Sequence, residues 1–513
     1  MKKIFSILTA GLLVFSLFSC DLTRDPDGQI EQGPLKTIKE IKYLGDGLYT
    51  HLRTAEVPLN TSYSDYQAGY YVRTIWDGGQ VLGMTDWEES RMLSDERIDN
   101  YFAAYSILAM QANYFISRAQ EALDNDVLEG KAKDIKATKT LIAEAKVMKA
   151  ISIYRLMLRY AKGPYNPATA AQEMGVFLMD EFSPLAKPER ASKLASYSRA
   201  IELIDEAIAL GLNEKSEAPY HINIDYAYAL KARIYLQMQE WQKAVDAVGK
   251  FIDKYPLVDT KSEKTAADKV KLLRSTYSIG SSENVLTLYA DAKVGSFGQF
   301  YGWLDGVWQP EDELDPNSKL EEFILPNAIL SDWAIKLYDD KDIRKEAYVG
   351  EYKILAQLPV HMLTKYMGDP ALDVDKEHTR HRNRLNLFNI AEAYLIRAEA
   401  YLQLKKQTEA QNDLEALMGS RGIEAPEFGS ITSDMKLLRE ERARELIGEG
   451  MRLNDMYRWG LDFVAPSPQS VVAPYSTVSK EERVSIEDKR FMWEFPSNDR
   501  RANPNLHGKS NWD

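Results

Sequence analysis

Two glutamates four residues apart, Glu445 and Glu449, are where an enzyme would first be sought in this sequence. On one helix such a pair shares a face, with roughly 6 Å between Cβ atoms. Carboxylates about 5 Å apart are what a retaining glycosidase requires, provided one of them stays protonated. Arg442 stands three residues before Glu445, and Arg452 three after Glu449. Neighbouring positive charge lowers a carboxylate pKa. The spacing therefore predicts two ionised carboxylates in an ion-pair network, continued by Asp455 and Arg458, and not an acid with a nucleophile. Of the six histidines only His378 and His381 are close together, beside Asp373, Asp375 and Glu377. That alternation offers oxygen atoms to calcium but lacks the glycine turn and terminal glutamate of a calcium loop, and Lys376 and Arg380 oppose it. A solvated acidic loop is predicted, with no metal. The sequence has no Gly-x-Ser-x-Gly, no His-Glu-x-x-His and no phosphate-cradling glycine loop. No catalytic residue and no cofactor is expected.

Aromatic residues suggest a different chemistry. Residues 59–97 hold Tyr63, Asp65, Tyr66, Tyr70, Tyr71, Trp76, Asp77 and Trp87; residues 276–320 hold Tyr289, Phe297, Phe300, Tyr301, Trp303, Asp305 and Trp308. A sugar ring has an apolar C–H face and a belt of hydroxyls. It binds by stacking on a flat ring while carboxylates or amides meet the hydroxyls. Trp76, Trp87, Tyr301 and Trp303 are the foremost candidates for ligand contact, with Tyr66, Tyr70, Asp65, Asp77 and Trp308 beside them. Tyr71, Phe297 and Phe300 are assigned to the core. The competing reading packs most of these rings against helices. Stacking at roughly 0.5–1.5 kcal/mol per ring, with exposed hydrogen bonds near 1 kcal/mol each, predicts affinity around a millimolar or weaker after association costs. Repeated units along a polymer offset such weakness.

Helices must carry those loops. Apolar periodicity predicts helices over 35–52, 100–123 and 140–160, the last ended by Gly163-Pro164. Ala232-Arg233-Ile234-Tyr235-Leu236-Gln237-Met238 is echoed by Ala398-Glu399-Ala400-Tyr401-Leu402-Gln403-Leu404, and in both copies an alanine, Ala244 or Ala410, follows the tyrosine by nine residues. Small residues at fixed places let paired helices approach closely, as in tetratricopeptide units. A mainly α fold follows.

The N-terminal end reads as an export signal. Lys2 and Lys3 precede an apolar run from Ile4 to Phe18, too short for a comfortable membrane span. The run ends at Leu17-Phe18-Ser19-Cys20, and Cys20 is the only cysteine. A small residue before a lone cysteine at that place predicts cleavage after residue 19 and acylation of Cys20, more than one acyl chain giving a stable anchor. Residues 20–34 then form a flexible tether, and 35–513 a single body. Its helical stretches lie near 35–58, 98–162, 192–256 and 386–460; a loop-rich ligand lobe takes 59–97, 261–385 and 461–513. The chain carries a net charge of −13. Such a surface repels phosphate backbones, which excludes a general nucleic-acid role.

Four segments resemble the SusD/RagB family of outer-membrane nutrient-binding lipoproteins of Bacteroidetes. They are Cys20-Asp21-Leu22-Thr23-Arg24-Asp25-Pro26, Ala143-Glu144-Ala145-Lys146 through Gly163-Pro164-Tyr165, Glu441 through Gly460, and the tail Trp493-Glu494-Phe495-Pro496 with Asn503-Pro504-Asn505-Leu506 and Asn511-Trp512. Arg500-Arg501 departs from the acidic residues common in that tail. The resemblance implies a SusD-like fold with about four tetratricopeptide-like units and a second, loop-rich lobe. It also implies cell-surface display on the outer membrane and a SusC-like TonB-dependent transporter as partner. The ligand it implies is a glycan bound by loops in the two aromatic regions. Capture of peptides, or a helical-repeat scaffold binding no small ligand, stand as alternatives.

Overall fold

The computed structural model describes residues 34–512 apart from 80, 292–325, 355–357, 367, 373–382 and 478. Cys20, Tyr301, Trp303, Trp308 and the His378–His381 loop lie outside the described residues, as does the export segment.

Helices dominate. The first, α1, runs Ile38–Glu56 and opens on a reciprocal cap, in which Thr37 accepts from the Glu40 backbone N–H while the Glu40 carboxylate accepts from that of Thr37. Next come α2 (Glu96–Asp124), α3 (Ala132–Tyr160) and α4 (Lys193–Leu210). From Ile142 to Tyr160, α3 is buried nearly all round, lying between α2 and α4 with α1 also against it. Its alanines make this possible: Ala143, Ala145 and Ala150 sit where neighbouring helices come closest and expose nothing. The chain leaves α3 at Gly163, in the left-handed region and followed by Pro164, where the sequence predicted a stop.

The repeat is real. Helices α5 (Ile224–Gln237) and α6 (Trp241–Val248) pair as do α8 (Ile390–Gln403) and α9 (Gln407–Ser420), with α7 (Ala266–Ser278) between the two pairs in sequence. Ala244 and Ala410 are fully buried at the equivalent point of each pair. Even the turns agree: Gln239 and Lys405, each four residues after its tyrosine, both adopt positive φ, 59° and 61°. A buried Arg233–Glu392 pair at 2.5 Å ties α5 to α8. Helices α10 (Ile431–Glu445) and α11 (Arg452–Arg458) complete the body. The result is mainly α, tetratricopeptide-like helix pairs with a loop-rich second lobe.

Short antiparallel strands complete the fold, most of them in that lobe and one pair, β2 with β3, against α3 and α4. In chain order they are β1 Tyr71–Thr74, β2 Met174–Phe177, β3 Arg190–Ser192, β4 Asn284–Thr287, β5 Ala328–Leu330, β6 Glu351–Ile354, β7 Leu358–His361, β8 Asn386–Asn389, β9 Phe463–Val464, β10 Ser476–Thr477 and β11 Arg483–Val484. The central sheet has the order β10-β1-β5, with Tyr71 opposite Leu330 and Thr74 opposite Ser476. It therefore joins segments some 250 and 400 residues apart in sequence. An apolar cluster of Ile329, Val360, Met362 and Val472 lies beneath it.

Candidate functional site

The end of β1 offers the clearest binding platform among the described residues. Trp76 follows β1 by two residues and stacks on Tyr475, ring centroids 5.5 Å apart and planes 21° from parallel. The pair is fixed from below. The Ile75 backbone N–H donates to the Tyr475 carbonyl at 2.8 Å, and one edge of Trp76 rests on the Ile329–Val472 cluster. Tyr475 remains 37% exposed and Ile75 57%. Thr74 anchors the turn by donating its hydroxyl to the Pro326 carbonyl at 2.5 Å, where the described chain resumes after 292–325. At the other root of that segment Tyr289 meets Tyr220 edge to face, centroids 5.4 Å apart, both about two-fifths exposed. Each root thus carries a pair of partly exposed rings.

Other nominated residues are placed differently. Trp87 is fully buried, wedged between Phe463 and Phe491 with centroids 5.2 and 4.6 Å away, at a φ of 54°. Tyr66 packs on Tyr71 at 4.8 Å, and Tyr70 sits against Trp333 while donating its hydroxyl to the Ala443 carbonyl at 2.8 Å. Both are interior, so these three rings belong to the lobe's core and offer no free face. The reason is local: the chain from Tyr63 to Tyr71 threads between α11 and the central sheet, so its rings turn inward.

The two aspartates are buried as well. Asp77 accepts backbone N–H groups of Gly79 at 3.1 Å and Val81 at 2.9 Å, shaping the turn beyond Trp76; burial pushes its carboxyl up. Asp65 accepts from the Gly450 N–H at 3.0 Å. Burial pushes it up to about 7, against the opposing pull of that N–H and of Arg159. Neither is available to a sugar hydroxyl. Sequence reasoning missed Tyr475 and Tyr220. Tyr475 had no local signal, because what makes it a platform is a strand partner four hundred residues away.

The glutamate pair also needs correction. α10 ends at Glu445, and Gly448 and Gly450 then take positive φ, so Glu449 is not on the same helix face. Burial works to raise Glu445, but Arg421 and Arg344 hold it well below the usual carboxylate range, at 2.8 Å each. Glu449 instead meets Lys365 at 2.6 Å, and burial outweighs that ammonium, so its pKa rises where the sequence predicted a fall. Arg442 turns to Asp455 at 2.7 Å, and Arg452 lies over the Trp333 ring at 4.1 Å. The ion-pair network exists with different partners. Glu445 is sealed inside it, whereas Glu449 is only partly covered, its side chain 18% exposed, and is held by Lys365. Among the described residues no group of three or more His, Cys, Asp or Glu is placed to hold a metal, and no helix is long and apolar enough to cross a membrane.

A body of paired helices carrying a lobe of short strands and loops is the SusD-like architecture. A SusD family model matches residues 358–511. Solved structures sharing the fold include a SusD superfamily protein from Bacteroides thetaiotaomicron VPI-5482, at TM-score 0.68 and 22% identity over 91% of this chain and 98% of that one. A SusD-like carbohydrate binding protein from Bacteroides vulgatus ATCC 8482 aligns at TM-score 0.66 and 15% identity, over 92% and 98%. A SusD superfamily protein from the same strain gives 0.66 and 19%, over 92% and 98%. Among curated proteins none matches. The match to the SusD family thus lies in the C-terminal third of the chain, and the fold is shared over nine-tenths of it.

Proposed function

We propose that this chain is a lipid-anchored surface protein that captures nutrient glycans and delivers them to a SusC-like TonB-dependent transporter, and that it does no covalent chemistry on them. The observation that carries the glycan reading is the Trp76–Tyr475 stack, two flat rings held rigidly at the lobe surface beside the root of the segment containing Tyr301, Trp303 and Trp308. Flat, preorganised rings bind sugar faces at little entropic cost. The description of the Bacteroides vulgatus relative as carbohydrate binding supports the same reading. The sealing of Glu445 between Arg344 and Arg421, with Glu449 on a different face and paired with Lys365, supports a binding role over hydrolysis.

Affinity electrophoresis in polysaccharide gels, run beside titration with mixed peptides, tests this. The chain is expected to be retarded by at least one nutrient polysaccharide. Trp76→Ala and Tyr475→Ala should each weaken that retardation about three- to tenfold, the worth of one stacked ring, with the melting profile unchanged. Peptide binding without polysaccharide retardation would overturn the glycan reading. The anchor is tested separately: Cys20→Ala should move the chain from the membrane fraction to the soluble one and abolish incorporation of labelled palmitate.

A further inference from the structure

A cavity of about 520 Å³, lined by neither Trp76 nor Tyr475, opens between α2, α3 and the chain from Phe177 to Pro188. This lies within the range of small-molecule sites. Its walls are apolar, supplied by Phe102 and Met110 from α2, Ile153 and Leu156 from α3, and Phe177 and Leu506. At the rim Leu185 stands 91% exposed.

One charge is buried in this wall. Lys149 is only 4% exposed, and its Nζ reaches Asp180 Oδ1 at 3.4 Å, near the outer limit of a hydrogen bond. That oxygen is already held by Arg199 at 2.8 Å. An ammonium carries three N–H donors, and a distant, shared carboxylate answers one of them weakly. Burial pushes the Lys149 amine down, with Arg199 and Lys146 adding to the fall and Asp180 opposing it. The lining as a whole holds Lys149, Lys187 and Arg199 against Asp180 and Asp499, a local basic excess on an acidic chain.

We propose that this cavity is a second ligand site, taking an amphiphile whose apolar chain or ring system fills the cavity and whose carboxylate or phosphate head meets Lys149. An anionic head would supply the close acceptor that Asp180 does not, and the apolar walls would leave a free sugar's hydroxyls unpaired. The glycan reading is not needed for this site, since neither Trp76 nor Tyr475 lines it.

Isothermal titration of the purified chain with decanoate, decyl phosphate and decyltrimethylammonium, each below its micelle concentration, decides the matter. Saturable single-site binding of at least one anionic amphiphile is expected, with the cationic one at least about tenfold weaker, in line with loss of a charge-assisted hydrogen bond. Lys149→Met should weaken anionic binding by about the same factor while leaving polysaccharide retardation unchanged. Ala103→Trp, at an exposed position of the lining, should block all three compounds. Absence of saturable binding, equal affinity for the three heads, or indifference to both substitutions would overturn the proposal. Thermal melts establish that each variant is folded, and Ala103→Trp decides alone if Lys149→Met is not.

Discussion

Asp65 shows how a residue chosen for ligand chemistry can serve the fold instead. Its carboxyl is fully enclosed, with one oxygen on the Gly450 N–H and the other, Oδ1, without a hydrogen-bond partner. Arg159, Glu449 and Arg452 are the charged groups that act on it. A carboxyl raised from 3.8 to about 7 keeps its proton in the folded chain over a range where the unfolded chain has lost it. Stability from this group is present below pH ~4 and lost as pH rises through ~7. Asp65→Asn keeps the acceptor for Gly450 and removes the titration. Urea denaturation of parent and variant between pH 4.5 and 8 should show the parent losing a few kcal/mol relative to the variant as pH rises. A parallel pair of curves would mean that Asp65 is ionised throughout. Glu445 has the opposite sign, since its lowered pKa makes its contribution vanish only in acid.

Helix termini decide what the helices' charges do. The end of α10 delivers Glu441 and Glu445 into contact with Arg344, which also binds Asp342, while Arg421 bridges Glu445 and Glu283. All six of these side chains are buried, and they connect α9 and α10 with the strand lobe. Removing one partner of a buried pair leaves an uncompensated charge, at a cost of about 3–5 kcal/mol. Glu445→Ala should therefore cost about 3 kcal/mol or more in chemical denaturation. Glu449→Ala should cost less, because burial already opposes its charge. Equal losses would show that Arg344 and Arg421 are satisfied by their remaining carboxylates.

Across the whole molecule, segments nearly four hundred residues apart close on each other at Thr61 and Gly450. Gly450 (φ 68°) lies so near the turn at Thr61 that a Cβ there would sit 1.8 Å from the Thr61 carbonyl oxygen. Its N–H binds Asp65, and its carbonyl accepts from Arg159 at 3.0 Å. Only glycine meets both the conformation and the contact. Gly450→Ala should cost more than about 3 kcal/mol and lower the soluble yield sharply, whereas Gly460→Ala, with open space around its Cβ, should cost far less. Comparable losses in a thermal melt would mean that backbone strain, common to both, outweighs the clash.

How much of this could be read from residues alone follows from the range over which each signal acts. The three long helices, the paired repeat with Ala244 and Ala410, and the stop at Gly163-Pro164 were legible because periodicity, capping and turn chemistry act within a few residues, although the third helix starts at Ala132, eight residues before the predicted start. The ion-pair network was legible as a composition of charges, but not as partners: Arg344 and Arg421 reach Glu445 from 101 and 24 positions away and Lys365 reaches Glu449 from 84, and no local spacing encodes such contacts. Which rings face solvent was decided by tertiary structure. Trp76 and Trp87 stand eleven residues apart in equally aromatic sequence, yet β10 brings Tyr475 under one while Phe463 and Phe491 close over the other. Burial is a property of what arrives from elsewhere in the chain, and for these two tryptophans the ring partners that decide it, Tyr475 against Phe463 and Phe491, all come from beyond residue 460.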